Sequence, residues 1–116
     1  MKKIKIKDRN DKVLFTHTCE NNTVKITLQE AVVHKVNLED ANLYGVDLRG
    51  ADLRGAWLGW ADLRNSYLED ANLEYADLDN ADLENADLDN ANLYGVDLYR
   101  TNLRGAWLTY PWLRTK

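Results

Sequence analysis

The sequence predicts an all-β solenoid wound in square coils, preceded by a small hairpin and a short helix. Three observations carry that prediction. Sixteen five-residue blocks run without a gap from Val36 to Thr115, each with leucine at its third position. They read VNLED ANLYG VDLRG ADLRG AWLGW ADLRN SYLED ANLEY ADLDN ADLEN ADLDN ANLYG VDLYR TNLRG AWLTY PWLRT. Two residues before each leucine stands a small residue, usually alanine. The fifth position is rich in glycine and asparagine, the residues that tolerate positive φ.

A period of five fits neither a helix at 3.6 nor a long strand at 2.0. Two apolar positions separated by two lie on one face of an extended segment, and the three-residue step to the next demands a turn. Four such blocks make a square coil with leucine and alanine pointing to the axis. Coils then stack like on like at about 4.8 Å. A helix would carry Gly or Asn in nearly every turn and fail on propensity.

Ahead of the repeat, residues 3–7 and 12–16 alternate apolar and polar side chains around the polar turn Asp8-Arg9-Asn10-Asp11. Ile4-Ile6 and Val13-Leu14-Phe15 are expected to form a hairpin. Glu20-Asn21-Asn22 reads as a second turn and Thr23 to Thr27 as a short strand. Thr27-Leu28-Gln29-Glu30 has the form of a capping box, opening a helix that runs to about Lys35. Residues 1–35 are therefore expected to form a hairpin and capping helix, and residues 36–115 the solenoid. The open ends of such a rod need covering. The helix is expected to close one end and the aromatic residues Trp107, Tyr110, Pro111 and Trp112 the other, either as a lid or by pairing two copies.

The blocks match the motif A(D/N)LXX, and on that ground the chain resembles the pentapeptide-repeat family. The resemblance implies a right-handed quadrilateral parallel β-helix of about four coils. Departures are local: Trp57, Tyr67, Trp107 and Trp112 replace Asp or Asn before leucine, Pro111 replaces the small inward residue, and Arg100 replaces a corner Gly or Asn. The order hairpin, helix, repeats also resembles a variety common in phage and prophage genomes. Several family members dimerise through the C-terminal end, which implies a homodimer there.

Composition narrows the function. The formal net charge of −4 hides an asymmetry: residues 1–35 hold eight basic and four acidic side chains, whereas residues 36–116 hold seven and fifteen. No basic residue lies between Arg64 and Arg100. Asp77, Asp82 and Asp87 precede a leucine, where the motif itself supplies Asp or Asn, expected to hydrogen-bond corner backbone in the neighbouring turn. Glu69, Glu74, Asp79, Glu84 and Asp89 follow a leucine, where the motif imposes nothing, so their clustering is the sharper signal. These eight carboxylates form the expected partner-binding patch, flanked by Trp57 and Trp60 as aromatic contacts.

A filled rod offers no cleft for catalysis. His17, His34 and Cys19 match no metal-ligand spacing, the carboxylates lack the loops of a calcium site, and there is no phosphate-binding loop. No catalytic residue, metal or cofactor is therefore expected. Acidic repeats disfavour direct nucleic-acid binding. A lone cysteine suits a reducing cytoplasm, and no stretch is apolar enough to span a bilayer. The resemblance extends to quinolone-resistance proteins that act on DNA gyrase. It implies an acidic DNA mimic that inhibits a nucleic-acid-binding protein: gyrase or another topoisomerase, or a restriction or CRISPR nuclease. The alternative is a scaffolding module that binds a protein through its aromatic patches.

Overall fold

The computed structural model describes residues 1–109. Parallel bridges link positions twenty residues apart, Asn37 to Trp57, Trp57 to Asp77 and Asp77 to Asp97 on one side, with matching series on the other three. Four blocks therefore make one turn. Leucines from Leu38 to Leu88 are buried, as are the alanines from Ala41 to Ala91. Each corner is closed by a bond from the next block's first N–H back to the leucine carbonyl, as from Ala71 to Leu68 at 3.0 Å. The fifth residue takes positive φ, 68° at Gly50 and 59° at Asn65. An i to i+3 bond with positive φ at the third residue fits a type II turn.

Each rung donates from its leucine and its fifth residue to the coil above. Leu63 N–H bonds the Asp82 carbonyl at 2.8 Å, and Asn65 N–H bonds Glu84 at 2.9 Å. The residue before leucine donates downward, as Asp62 does to Ala41 at 2.9 Å. Aspartate or asparagine at that position also accepts the N–H two residues on. Asp77 Oδ1 takes the Asp79 N–H at 2.9 Å and Asn72 Oδ1 takes the Glu74 N–H at 3.1 Å. The expected corner bond is real but lies within its own corner, not in the neighbouring turn. An Asx side chain reaches its own backbone two residues on more readily than a rung about 4.8 Å away.

Strands β1 (Lys2–Lys7) and β2 (Val13–Cys19) form the hairpin, with Ile6 opposite Phe15 and a register shift between Ile6 and Lys7. The second strand runs four residues beyond the expected Phe15. Helix α1 spans Val24–Val33, so the expected strand over Thr23–Thr27 and the capping box at Thr27 are both corrected. Thr23 is the N-cap, its hydroxyl accepting the Ile26 N–H at 3.1 Å. The Thr27 hydroxyl is buried and donates instead to Asn22 Oδ1 at 2.9 Å. Asn22 in turn donates to the carbonyls of His17 and Lys2. That internal network needs Thr27 inside the helix, with Leu28 and Ala31 buried beside it. The helix is closed just past its C-cap His34 by Lys35, whose φ is 56°, with Lys35 N–H bonded to the Val32 carbonyl and Val36 N–H to that of Ala31, as in a Schellman closure.

The hairpin and helix meet the first coil through hydrogen bonds that the coil lacks a predecessor to make. Asn42 N–H bonds the Lys7 carbonyl at 2.8 Å, and Asp52 N–H bonds Gln29 Oε1 at 2.7 Å. Lys25 Nζ donates to the Arg49 carbonyl at 2.9 Å. At the far end Leu98 is 36 % exposed. The N–H groups of Leu98, Arg100, Leu103 and Gly105 have no backbone acceptor among the described residues.

Candidate functional site

The twenty-residue period sorts the outward side chains into four ladders, and every parallel bridge agrees with that sorting. On the first face Asn37 and Glu39 lie below Trp57, Gly59 and Trp60, with Asp77 and Asp79 above, then Asp97 and Tyr99. The second stacks Asn42 and Tyr44, Asp62 and Arg64, Asp82 and Glu84. The third carries Asp47 and Arg49, Tyr67 and Glu69, Asp87 and Asp89. Arg54, Glu74 and Tyr94 lie on the fourth.

The eight acidic residues singled out from sequence do not form one equivalent set. Asp82 and Glu84 each have an arginine within 4.0 Å, Arg64 below and Arg104 above. Asp77 and Asp79 share the first face with Asp97, and the three bring carboxylate oxygens within 4.8 Å of one another. Three such oxygens fall well short of the six to eight that Ca²⁺ takes. Asp87 and Asp89 stand above Glu69 on the third face. Glu69 Oε1 is shielded from solvent yet accepts no hydrogen bond among the described residues. Glu74 lies beneath Asn92, whose amide reaches Glu74 Oε2 at 3.5 Å.

In the sequence the arginines near the rod's start enter only as a count against the acidic residues. The structure shows them as local clamps. In each Asp-Leu-Arg block the guanidinium folds back on its own aspartate through two bonds, as in Arg64 Nε to Asp62 Oδ1 and Nη2 to Asp62 Oδ2, both 2.8 Å. Arg49 with Asp47 and Arg54 with Asp52 repeat it. The bidentate bond holds the Asp47 carboxyl down at about 2 and depresses those of Asp52 and Asp62. The Asp-x-Arg spacing, two apart on one outward face, was the signal available for this. Among the described residues, four third-coil carboxylates, Asp77, Asp79, Asp87 and Asp89, have no arginine within 4.0 Å.

Trp57 and Trp60 both lie on the first face. Trp57 and Trp60 are 53 % and 51 % exposed. Trp60 is a corner residue with φ at 61°, a conformation that costs a bulky L-residue roughly 1–2 kcal/mol. Gly or Asn fills most other corners without that cost. A strained, half-exposed tryptophan returns little stability for its position. Tyr75, also at a corner with φ 61°, at least meets Tyr94 edge-on at 5.6 Å. Gly95 leaves room for that ring, since a Cβ there would meet Tyr75 Cδ1 at 2.5 Å. Trp107 is 69 % exposed; Tyr110, Pro111 and Trp112 lie outside the described residues.

The family profile for pentapeptide repeats matches residues 28–65 and 66–105 in eight copies. The chain belongs to the pentapeptide-repeat family. Its fold is therefore that family's right-handed β-helix. A crystal structure of a pentapeptide-repeat protein from Nostoc Pcc 7120 is similar at 41 % identity and a TM-score of 0.62, covering 70 % of this chain and 72 % of that one. A pentapeptide-repeat protein of the Arabidopsis thaliana thylakoid lumen is similar at 28 % identity and a TM-score of 0.41, with coverage of 67 % and 50 %. HetL from Nostoc sp. strain PCC 7120, involved in heterocyst differentiation regulation, is 37 % identical with a TM-score of 0.35, covering 61 % of this chain and 38 % of HetL. None of the curated proteins matches. Among the described residues no helix is long and apolar enough to cross a membrane.

Proposed function

We propose that this pentapeptide-repeat chain is a non-enzymatic acidic rod that binds a nucleic-acid-binding protein in place of duplex DNA. The candidates are DNA gyrase or another topoisomerase, or a restriction or CRISPR nuclease. The observation that carries the reading is the charge on one coil. B-DNA bears one charge per 1.7 Å of axis, about three per 4.8 Å rung. The third coil carries six carboxylates, two of them beside arginines, which leaves four without a close cation among the described residues. The density therefore reaches that of a duplex, on a scaffold held by a continuous backbone ladder. In this reading the hairpin and helix close the N-terminal end of a rod of about four coils. Two copies join at the C-terminal coil, which light scattering would report as a doubled mass; a single-copy mass for wild type removes that part.

A pull-down from host lysate, eluted first with salt and then with duplex DNA, tests the main reading. A mimic's partner is released by both. A partner that resists both rejects mimicry and favours scaffolding through aromatic contacts.

That second reading has its own support in Trp60. Trp60→Gly relieves the left-handed strain and is expected to raise unfolding free energy by about 1 kcal/mol. If the corner serves binding, the same change weakens the captured complex. A variant that is both more stable and equally well bound would remove Trp60 from the interface. Urea unfolding together with the pull-down reads both quantities.

A further inference from the structure

The residue after leucine carries a side chain in every described block except one, where Gly59 stands. Nothing in the fold requires glycine there. Its φ lies outside the left-handed region, and an added Cβ would meet only the Asp79 carbonyl oxygen at 3.4 Å and Glu39 Cγ at 4.0 Å, both ordinary contacts. Glycine therefore leaves a slot open in the first face. The slot belongs to a concavity of about 220 Å³ lined by Asn37, Glu39, Trp57, Gly59 and Asp77. Small-molecule pockets usually span about 300–1,000 Å³, so this one suits a single side chain.

The neighbouring face shows what such a slot holds. There the same four positions carry Tyr44, Asp62, Arg64 and Asp82. Arg64 occupies the position equivalent to Gly59. Its guanidinium carbon lies 5.1 Å from the Tyr44 ring centroid, its Nε and Nη2 bond Asp62, and its Nε is 4.0 Å from Asp82. On the first face the four positions carry Glu39, Trp57, Gly59 and Asp77. The aromatic and one carboxylate have exchanged places, and the arginine is missing. Nearby cations are committed elsewhere or lie outside the slot. Arg9 bonds the Trp60 carbonyl and sits 3.9 Å from Asp40, while Lys35 and Arg54 line a separate concavity that Trp57 also borders.

We propose that the Gly59 notch is a receptor for one arginine side chain of a partner protein, stacked on Trp57 and ion-paired with Glu39 and Asp77. A guanidinium fits better than an ammonium because it is planar, weakly hydrated, stacks on indole and pairs bidentately with carboxylates. The proposal rests on reading the rod as an acidic protein-binding surface. It names the group that would seat at one point, next to the strained Trp60.

The test uses a small probe, so that it is decided separately from the salt and DNA elution of the whole rod. N-acetyl-arginine amide is titrated into the ¹⁵N-labelled protein, with the Gly59 amide and Trp57 indole N–H followed by NMR. Saturable shifts at those two signals are expected. The citrulline analogue, equal in shape and neutral, should bind at least about tenfold more weakly, and the lysine analogue should also bind more weakly. Gly59→Arg places a guanidinium in the slot from within and should abolish the shifts. Asp77→Asn keeps the corner bond, as Asn37 Oδ1 does to the Glu39 N–H at 3.0 Å, and should weaken them. Equal binding of citrulline or lysine, undiminished binding by either variant, or shifts spread evenly over the acidic residues of all faces would overturn the assignment.

Discussion

Leu73→Ala is expected to cost about 2–5 kcal/mol of unfolding free energy, and Leu98→Ala about 1 kcal/mol. Both delete the same atoms from the same position of the repeat. Leu73 is fully buried between coils, whereas Leu98 is 36 % exposed on the last described coil. A cavity at Leu73 removes contacts with leucines both above and below. The rod has no second layer that could collapse into the gap. Total stabilities are commonly about 5–15 kcal/mol, so the interior change alone threatens the fold. In a stack where each coil touches only its neighbours, stability is roughly a sum of coil and interface contributions. Urea denaturation of the two variants measures the difference. Equal costs would contradict a solenoid with a sealed middle and an open end.

The second large effect concerns charge. Asp77→Asn, Asp79→Asn, Asp87→Asn and Asp89→Asn together neutralise the third coil's carboxylates that lack a close arginine among the described residues. The loss in affinity for a captured partner is expected to be at least about hundredfold, with a flattened salt dependence. The fold should survive because the chain already uses the replacement. Asn37, Asn42, Asn72, Asn92 and Asn102 accept the same corner bond that Asp77 and Asp87 accept. Thermal stability at low salt should even rise, since close carboxylates such as Asp77 and Asp79 repel one another. A companion set at Asp82 and Glu84, each beside an arginine, should have the smaller effect. Full retention of binding by the fourfold variant would reject the acidic patch as the contact surface.

The coil was legible in the sequence because a strict two-plus-three alternation of apolar positions has one geometric solution. The four outward ladders follow from the unbroken register of four blocks per coil. What escaped was decided by contacts across the fold. Thr27-Leu28-Gln29-Glu30 carries a good local signature for a helix start, yet the Thr27 hydroxyl is drawn inward to Asn22. Thr23, with no acid three residues later, became the cap. The arginine clamps were missed for a different reason: Asp and Arg were weighed as totals, although their spacing in each Asp-Leu-Arg block already placed them side by side. The notch at Gly59 needed comparison of two adjacent ladders slot by slot, which single-block reading does not make.

Only two residues of every five are committed to the interior, and the backbone ladder between coils is indifferent to most of what lies outside. Single codon changes at the remaining positions can therefore rewrite the exterior without refolding the chain. Duplication of a twenty-residue unit would lengthen the ruler by one step. A family built this way can follow a changing target by editing its print while keeping its spindle.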